Sequence, residues 1–248
     1  MKKFLFLFLT CISFYSCVKD TMITEDKEFD VIYDKSDATQ AVIQIFRYDG
    51  SEEHNLTQDL NYNFWWPRVS FDEKKFLCYR SLKKGPTQSE NPTNDYENAE
   101  LITFNIDGSD PKVIISKGQY GWKAQGVAKF SPDGNHILMA ALCSDSLRGY
   151  TNVQWRLVVT DINGNNPKII SPQNKVYADP AWSPDGKKVV YVSLPDDKLN
   201  GWNDDFEIFV SDYDEAQKVI NNEVRLTNDS LYCFDPCWSY DGKYIAFT

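Results

Sequence analysis

From about residue 41 onward the apolar positions of the chain come in runs of four to five, or alternate with polar ones, and nearly every run stops at a glycine-containing turn. Ile43-Gln-Ile-Phe-Arg-Tyr48 stops at Asp49-Gly50, Leu101-Ile-Thr-Phe-Asn105 at Asp107-Gly108, and Arg156-Leu-Val-Val-Thr160 at Asp161-Ile-Asn163-Gly164. Short runs of this period are strands, and Asp-Gly between two of them supplies the positive φ that a tight hairpin needs. Helical periodicity is nearly absent. At most Glu215 to Ile220 makes a turn or two.

A second kind of hairpin recurs. Asp179-Pro-Ala-Trp182-Ser183-Pro184-Asp185-Gly186-Lys187 returns as Asp235-Pro-Cys-Trp238-Ser239-Tyr240-Asp241-Gly242-Lys243. Ala128-Lys-Phe130-Ser131-Pro132-Asp133-Gly134 is a third copy, and Pro67-Arg-Val-Ser70-Phe71-Asp72-Glu73 a degenerate fourth. The anchoring serines at 70, 131, 183 and 239 lie 52 to 61 residues apart, and a second hairpin follows each of the first three, of the Asn/Asp-x-Asp/Asn-Gly kind after the first two and with a longer tip between Ser211-Asp212 and Glu223 after the third. Two hairpins per repeat of this length make one four-stranded propeller blade, so the chain is expected to be all-β, a β-propeller of about four antiparallel blades.

These residues resemble the WD-like β-propeller repeat of the TolB type, whose marks are Pro-x-Trp-Ser-Pro-Asp-Gly-Lys, then a strand ending in Asp-x-Asp-Gly and one ending in Arg/Lys-x-Leu-Thr. Asn105-Ile-Asp107-Gly108, Asp161-Ile-Asn163-Gly164, Leu56-Thr57 and Arg225-Leu226-Thr227 carry the later marks. The resemblance covers residues 41 to 248. It implies a rigid ring used by envelope scaffold proteins, by domains that gate peptidases and by some lyases. Rings of this type commonly have six blades. Here the hairpin at 41–57 and the one at 236–248 either close on each other as a fourth blade or form part of a larger ring.

The N-terminus reads as an address. Lys2 and Lys3 precede an apolar run from Phe4 to Leu9 that is too short to span a bilayer. Ser16-Cys17 at its end resembles a bacterial lipobox, which implies a signal peptide over 1–16 and acylation of Cys17. Residues 17–39 are then a polar tether and 40–248 the propeller. Cleavage before Cys17 removes Lys2 and Lys3 and takes the net charge from −10 to −12. Such a protein is expected to be lipid-anchored in the cell envelope, at the outer membrane.

In a blade of this kind the Asp-Gly turns share one face, and the longer connections share the other. A rigid scaffold commonly binds through such loops. The candidate ligand-binding residues are the loop aromatics Trp65, Trp122, Tyr150, Tyr177, Trp202 and Tyr232, which offer large contact area at little entropic cost. Asp179 and Asp235, ahead of the motif prolines, are expected to tie backbone between blades. Asp161-x-Asn163-x-Asn165 lacks the glycine and late glutamate of a calcium loop and reads as a turn.

The 248-residue chain is 15% aromatic, which excludes disorder, and its net charge of −10 leaves no basic face for nucleic acid. Neither His54 nor His136 falls on the loop face, so histidine is not available there as a base. No Gly-x-Ser-x-Gly elbow is present. No catalytic residue, metal site or cofactor is expected. Cys78, Cys143, Cys233 and Cys237 are expected to be unpaired. The favoured expectation is a non-catalytic binding or scaffold lipoprotein with an envelope protein or peptide partner. A carbohydrate-binding or carbohydrate-active lipoprotein using loop aromatics and carboxylates is the alternative, and the regulatory propeller of a peptidase whose catalytic half is absent is a second.

Overall fold

The computed structural model describes residues 30–37, 40–47, 50–85, 95–173, 175–195, 206–228 and 233–248. Each Ser-x-Asp hairpin joins the first two strands of a blade, and a second hairpin joins the last two, through a glycine turn in the second and third blades and through residues 215–218 in the fourth. The second blade holds β4 (Tyr62–Val69), β5 (Lys75–Leu82), β6 (Glu100–Asn105) and β7 (Lys112–Ile115), side by side in that order. The third holds β8 (Ala124–Phe130), β9 (His136–Asp145), β10 (Tyr150–Asp161) and β11 (Lys168–Ile169). The fourth holds β12 (Tyr177–Trp182), β13 (Lys188–Ser193), β14 (Glu207–Asp214) and β15 (Val219–Arg225). All pairings are antiparallel. Ahead of these lies a three-stranded sheet, β1 (Asp30–Ser36), β2 (Ala41–Arg47) and β3 (His54–Asn55), and after them the hairpin β16 (Cys237–Trp238) and β17 (Ile245–Ala246). The molecule is an all-β propeller of antiparallel blades.

Two expectations need correction. Residues 30–36 are not tether, because β1 pairs with β2 along its whole length, from Asp30 opposite Arg47 to Ser36 opposite Ala41. The C-terminal hairpin does not complete the first sheet either. It packs against β12 of the fourth blade, while β1 fills the position in the first sheet that β17 would need.

The near-continuous apolar runs follow from stacking. A sheet covered on both faces buries both sets of side chains, and β5, β9 and β13 are buried almost throughout. Phe76 and Cys78 point to the core between the first and second blades, Leu77 and Tyr79 to the core between the second and third. Val189 and Tyr191 face the third blade, Val190 and Val192 the C-terminal hairpin. In the first sheet β2 alternates buried with partly exposed, because the second blade covers one of its faces.

The hairpin motif is stabilised by one side-chain arrangement used four times. Ser70, Ser131, Ser183 and Ser239 each donate to the aspartate two residues on, and each hydroxyl accepts the backbone N–H five residues on at 2.9–3.0 Å. The aspartate accepts a further backbone N–H, as Asp185 does from Lys187 at 3.0 Å. Gly134, Gly186 and Gly242 take the left-handed position of this turn, where the degenerate copy has Glu73 at φ 60°.

Candidate functional site

The first strand of every blade carries a kink at one repeated position. Trp66, Val127, Asp179 and Asp235, each four residues before the anchoring serine, have φ between 46° and 57°. Pairing of β4, β8 and β12 with their neighbours shifts register there. Such bulges re-aim the side chains that follow, and non-glycine residues at positive φ are a reservoir of strain that accumulates at functional places. Two carboxylates span the joints, as expected of Asp179: its Oδ2 accepts the N–H of Asp235 at 3.4 Å, and Asp34 Oδ1 accepts that of Trp66 at 3.4 Å.

The kinks gather charge at the axis. Arg68 and Lys129 occupy the same repeat position in the second and third blades. Asp179 and Asp235 occupy the kink itself in the fourth blade and the C-terminal hairpin. Lys129 lies within electrostatic reach of Arg68, Asp179 and Asp235, so four inner strands converge there. Burial and the neighbouring Arg68 lower the Lys129 pKa to about 8, against the pull of the two aspartates. Burial and the Asp235 charge raise that of Asp179 to about 6, although the Asp235 N–H, Lys129 and Arg68 favour its charged form. Positive charge thus lies on two adjacent blades and negative charge on the two that follow. Lys129 makes no hydrogen bond or ion pair with any described residue, and the Asp235 carboxylate makes none either.

Tyr96 closes one side of this cluster. Its ring meets Trp66 edge-on at 5.8 Å and Trp155 edge-on at 5.9 Å. The Tyr96 carbonyl accepts the N–H of Gln125, whose side-chain amide donates to the Ala99 carbonyl. A Cβ on Gly126 would stand 2.9 Å from the Tyr96 ring, so glycine there admits it. Burial, then the charges of Asp179 and Asp235, hold the Tyr96 phenol well above its ordinary pKa.

The aromatics expected on the loop face divide. Trp65 and Tyr177 are fully buried and are not surface contacts. The inner strands begin earlier than the turn pattern suggested, at Tyr62 and Tyr177, so both side chains enter interblade cores. Trp65 stacks on Tyr79 at 6.4 Å and Tyr177 packs on Tyr191 at 5.4 Å. Trp122 is half-buried beside Tyr120, whose hydroxyl donates to the Gly164 carbonyl in the outer turn of the third blade. It therefore lies at the rim, away from Tyr96. Tyr150 is half-buried at the start of β10 with the Arg156 guanidinium 5.4 Å from its ring centre. Trp202, Tyr232 and the expected lipidation site Cys17 lie outside the described residues. His136 accompanies Lys218 and Glu215 on the turn face, away from the axis. No disulfide joins any two of Cys78, Cys143, Cys233 and Cys237. Sequence reasoning missed Arg68, Lys129 and Tyr96. A cation two residues before the serine in successive repeats was the signal available for the first two.

Successive antiparallel four-stranded sheets built on this repeat define the class of the fold, a β-propeller. The comparisons give it a likeness: the chain is similar to TolB-type propellers. The chain is 27% identical over 94 residues to the Tol-Pal system protein TolB of Anaeromyxobacter dehalogenans, covering 38% of this chain and 19% of that protein. It is 37% identical over 65 residues to that of Thioalkalivibrio sulfidiphilus, covering 26% and 13%. The crystal structure of TolB from Acinetobacter baumannii superposes with a TM-score of 0.60 at 19% identity, over 88% of this chain and 46% of that one. An oligogalacturonate lyase in complex with manganese superposes at 0.58 and 15% identity, over 87% and 54%. The chain therefore spans less than half the TolB chain it superposes on. No protein-family model matches it.

Proposed function

We propose that this chain is a non-catalytic binding or scaffold protein of the bacterial cell envelope, holding a protein or peptide partner over the loop face of its propeller. The axial cluster carries the reading. Two cations, two carboxylates and a phenol come from five places in the chain, and Lys129, the Asp235 carboxylate and the Tyr96 hydroxyl make no hydrogen bond with any described residue. Partly desolvated charges cost stability, so a fold retains them where they meet a ligand. Similarity to Tol-Pal system proteins supports an envelope partner. The N-terminus, with residues 1–16 as signal peptide and Cys17 as the acylated residue, supports a lipid anchor at the outer membrane. The carbohydrate reading draws less support. Trp65 and Tyr177 are in the core, and Tyr96, Trp66 and Trp155 turn edges to one another instead of offering a flat platform.

The test places a photo-crosslinking amino acid at Tyr150 on the loop face, and at Asn135 on the turn face, in the lipoprotein expressed in its own cells. The expected result is a discrete cross-linked protein from Tyr150 and none from Asn135. Equal products from both faces, or none from either, refute the face assignment. Metabolic labelling with an alkyne fatty acid, lost in Cys17→Ala, checks the anchor.

A further inference from the structure

We propose that the cleft between the first sheet and the second blade is a binding site for a small organic cation, a ligand whose apolar body lies against Leu56, Phe64, Ile102 and Phe104 and whose ammonium group meets Asp59 and Asp107. The site shares no residue with the axial cluster or with Tyr150 on the loop face, so it stands or falls independently of the partner reading.

The cleft holds about 410 Å³. Small-molecule sites occupy about 300–1,000 Å³. Both of its walls are fixed by the fold. On one side the chain leaving β3 still follows β2: the Leu56 N–H donates to the Ile43 carbonyl at 2.8 Å, and the Thr57 hydroxyl accepts the Ile43 N–H at 3.0 Å. The Gln40 side-chain amide then holds the Asp59 carbonyl at 3.1 Å and that of Tyr62 at 2.9 Å. On the other side the Asp107-Gly108-Ser109 turn of the second blade seats on the same segment. A Cβ on Gly108 would stand 2.5 Å from the Leu56 carbonyl oxygen. The bottom is apolar, because Leu56, Phe64, Ile102 and Phe104 belong to the core between the two sheets, where Phe64 meets Phe104 edge-on at 6.2 Å. A cleft whose walls are held in this way takes a ligand without the cost of ordering a loop around it.

Charge decides the sign of the ligand. The charged side chains lining the cleft are Arg80, Asp59 and Asp107. Arg80 is already engaged. Its Nε and Nη2 both donate to Glu100 Oε2 at 3.0 Å, and its guanidinium carbon lies 4.0 Å from the centre of the Tyr62 ring. The aspartates have only neutral partners. Asp59 Oδ1 accepts the N–H of Asn61 at 3.0 Å and its side-chain amide at 3.1 Å, and Asp107 Oδ1 accepts the N–H of Ser109 at 2.9 Å. Neither carboxylate closes an ion pair with any described residue. An anion would have to displace Glu100 from Arg80 and would be repelled by both aspartates. A neutral ligand gains the apolar bottom alone. A cation with an apolar body gains the bottom and both carboxylates, and the net charge of −10 on the chain draws it in.

The experiment titrates the full chain in lipid nanodiscs, with empty nanodiscs as the blank, by calorimetry and ligand-observed NMR at neutral pH. The probes are phenethylamine, phenethyl alcohol and phenylacetate, which share a ring and differ in charge. The expected result is that the amine binds about tenfold more tightly than the alcohol, and phenylacetate more weakly than either. Asp59→Asn together with Asp107→Asn should bring the amine down to the level of the alcohol. Gln58→Trp, at an exposed position of the lining whose side chain makes no hydrogen bond with any described residue, should block amine and alcohol alike. Thermal melting confirms that both variants fold. An amine that binds no better than the alcohol, phenylacetate binding most tightly, no amine bound at millimolar concentration, or undiminished amine binding in either variant overturns the cation site.

Discussion

The outer Asp-Gly turns are docking points between blades, and Gly164→Ala tests this. Gly164 has φ +78°, and an added Cβ would lie 2.3 Å from the carbonyl oxygen of Ile114 and 2.7 Å from Ile115 Cγ1, in the last strand of the preceding blade. Ordinary contact with a carbonyl oxygen is above 3 Å, so the turn must withdraw by about 1 Å. That movement weakens the Tyr120 hydroxyl bond to the Gly164 carbonyl, 2.8 Å, and the Lys112 bond to Asn163, 3.3 Å. Left-handed backbone for alanine costs about 1–2 kcal/mol. Overpacking against backbone costs about 1–3 kcal/mol, and each weakened hydrogen bond about 0.5–1.5 kcal/mol. The expected loss is about 3–5 kcal/mol. Gly50 gives the control, since it follows an aspartate in the first sheet with φ +81° and nothing within 4 Å of an added Cβ. Gly50→Ala should cost only the backbone preference, about 1–2 kcal/mol. Urea unfolding followed by tryptophan fluorescence, at a slope of about 2–3 kcal/mol per molar, reads the difference as a midpoint gap of about 1 M. Equal midpoints for the two variants would falsify the claim that these turns bear on the neighbouring blade.

Further outcomes follow from other joints. Glu73→Gly, which gives the degenerate hairpin the glycine its three counterparts have at φ 70–72°, should stabilise the protein by about 0.5–1 kcal/mol in the same assay. Glu223→Gln should destabilise by about 2–4 kcal/mol, because it removes the negative charge that Glu223 sets against the buried Lys175 ammonium and takes an acceptor from the Tyr191 hydroxyl. Stability against pH should rise as pH falls through 6, because Asp179 binds its proton more tightly folded than its ordinary value of 3.8 allows. Below about 4 it should fall, because Ser239 and Lys243 lower Asp241 to about 2 and the serines likewise lower Asp72, Asp133 and Asp185. Melting temperatures from pH 8 to 3 should therefore show a maximum on the acid side of neutrality, and Asp179→Asn should abolish the rise between 7 and 5. A monotonic fall from pH 7 in the unsubstituted protein would contradict the environment assigned to Asp179.

Which parts of this molecule could be read from its sequence depends on whether they are local. The Ser-x-Asp-Gly hairpin is closed by contacts within six residues, so its four copies announced themselves, and with them the blade. Even the degenerate copy kept the hydroxyl and carboxylate that make the turn, and lost only the glycine. Strand β1 was hidden because Val31-Ile32-Tyr33 is a short apolar run between charges, and its pairing with β2 leaves much of it accessible. Trp65 and Tyr177 were misread for a related reason. The strand ahead of the kink has no turn residue to mark its start, so the first residues of β4 and β12 look like loop.

The axial site was illegible for a deeper reason. Arg68, Lys129, Asp179 and Asp235 span more than 160 residues, and the charged position of the repeat changes, with its sign, between the third blade and the fourth. In the second and third blades the cation stands two residues before the serine and the kink is Trp66 or Val127. In the fourth the kink is acidic and Ala181 replaces the cation. Taken copy by copy, each looks like decay of a structural motif. In the folded chain these departures from the repeat bring charges of both signs to the inner strands. The repeat fixes the ring, and its deviations write the site. Deviations at inward positions carry information that the consensus does not. Glu73, a deviation at an outward turn, should behave as a defect that glycine repairs, whereas Lys129, a deviation at the axis, should resist repair. Lys129→Met is therefore expected to leave thermal stability unchanged or raise it, the signature of a residue kept against the interest of the fold. If Lys129→Met instead unfolds the protein as Glu223→Gln is expected to, the axial charge is a fastening and the site lies elsewhere.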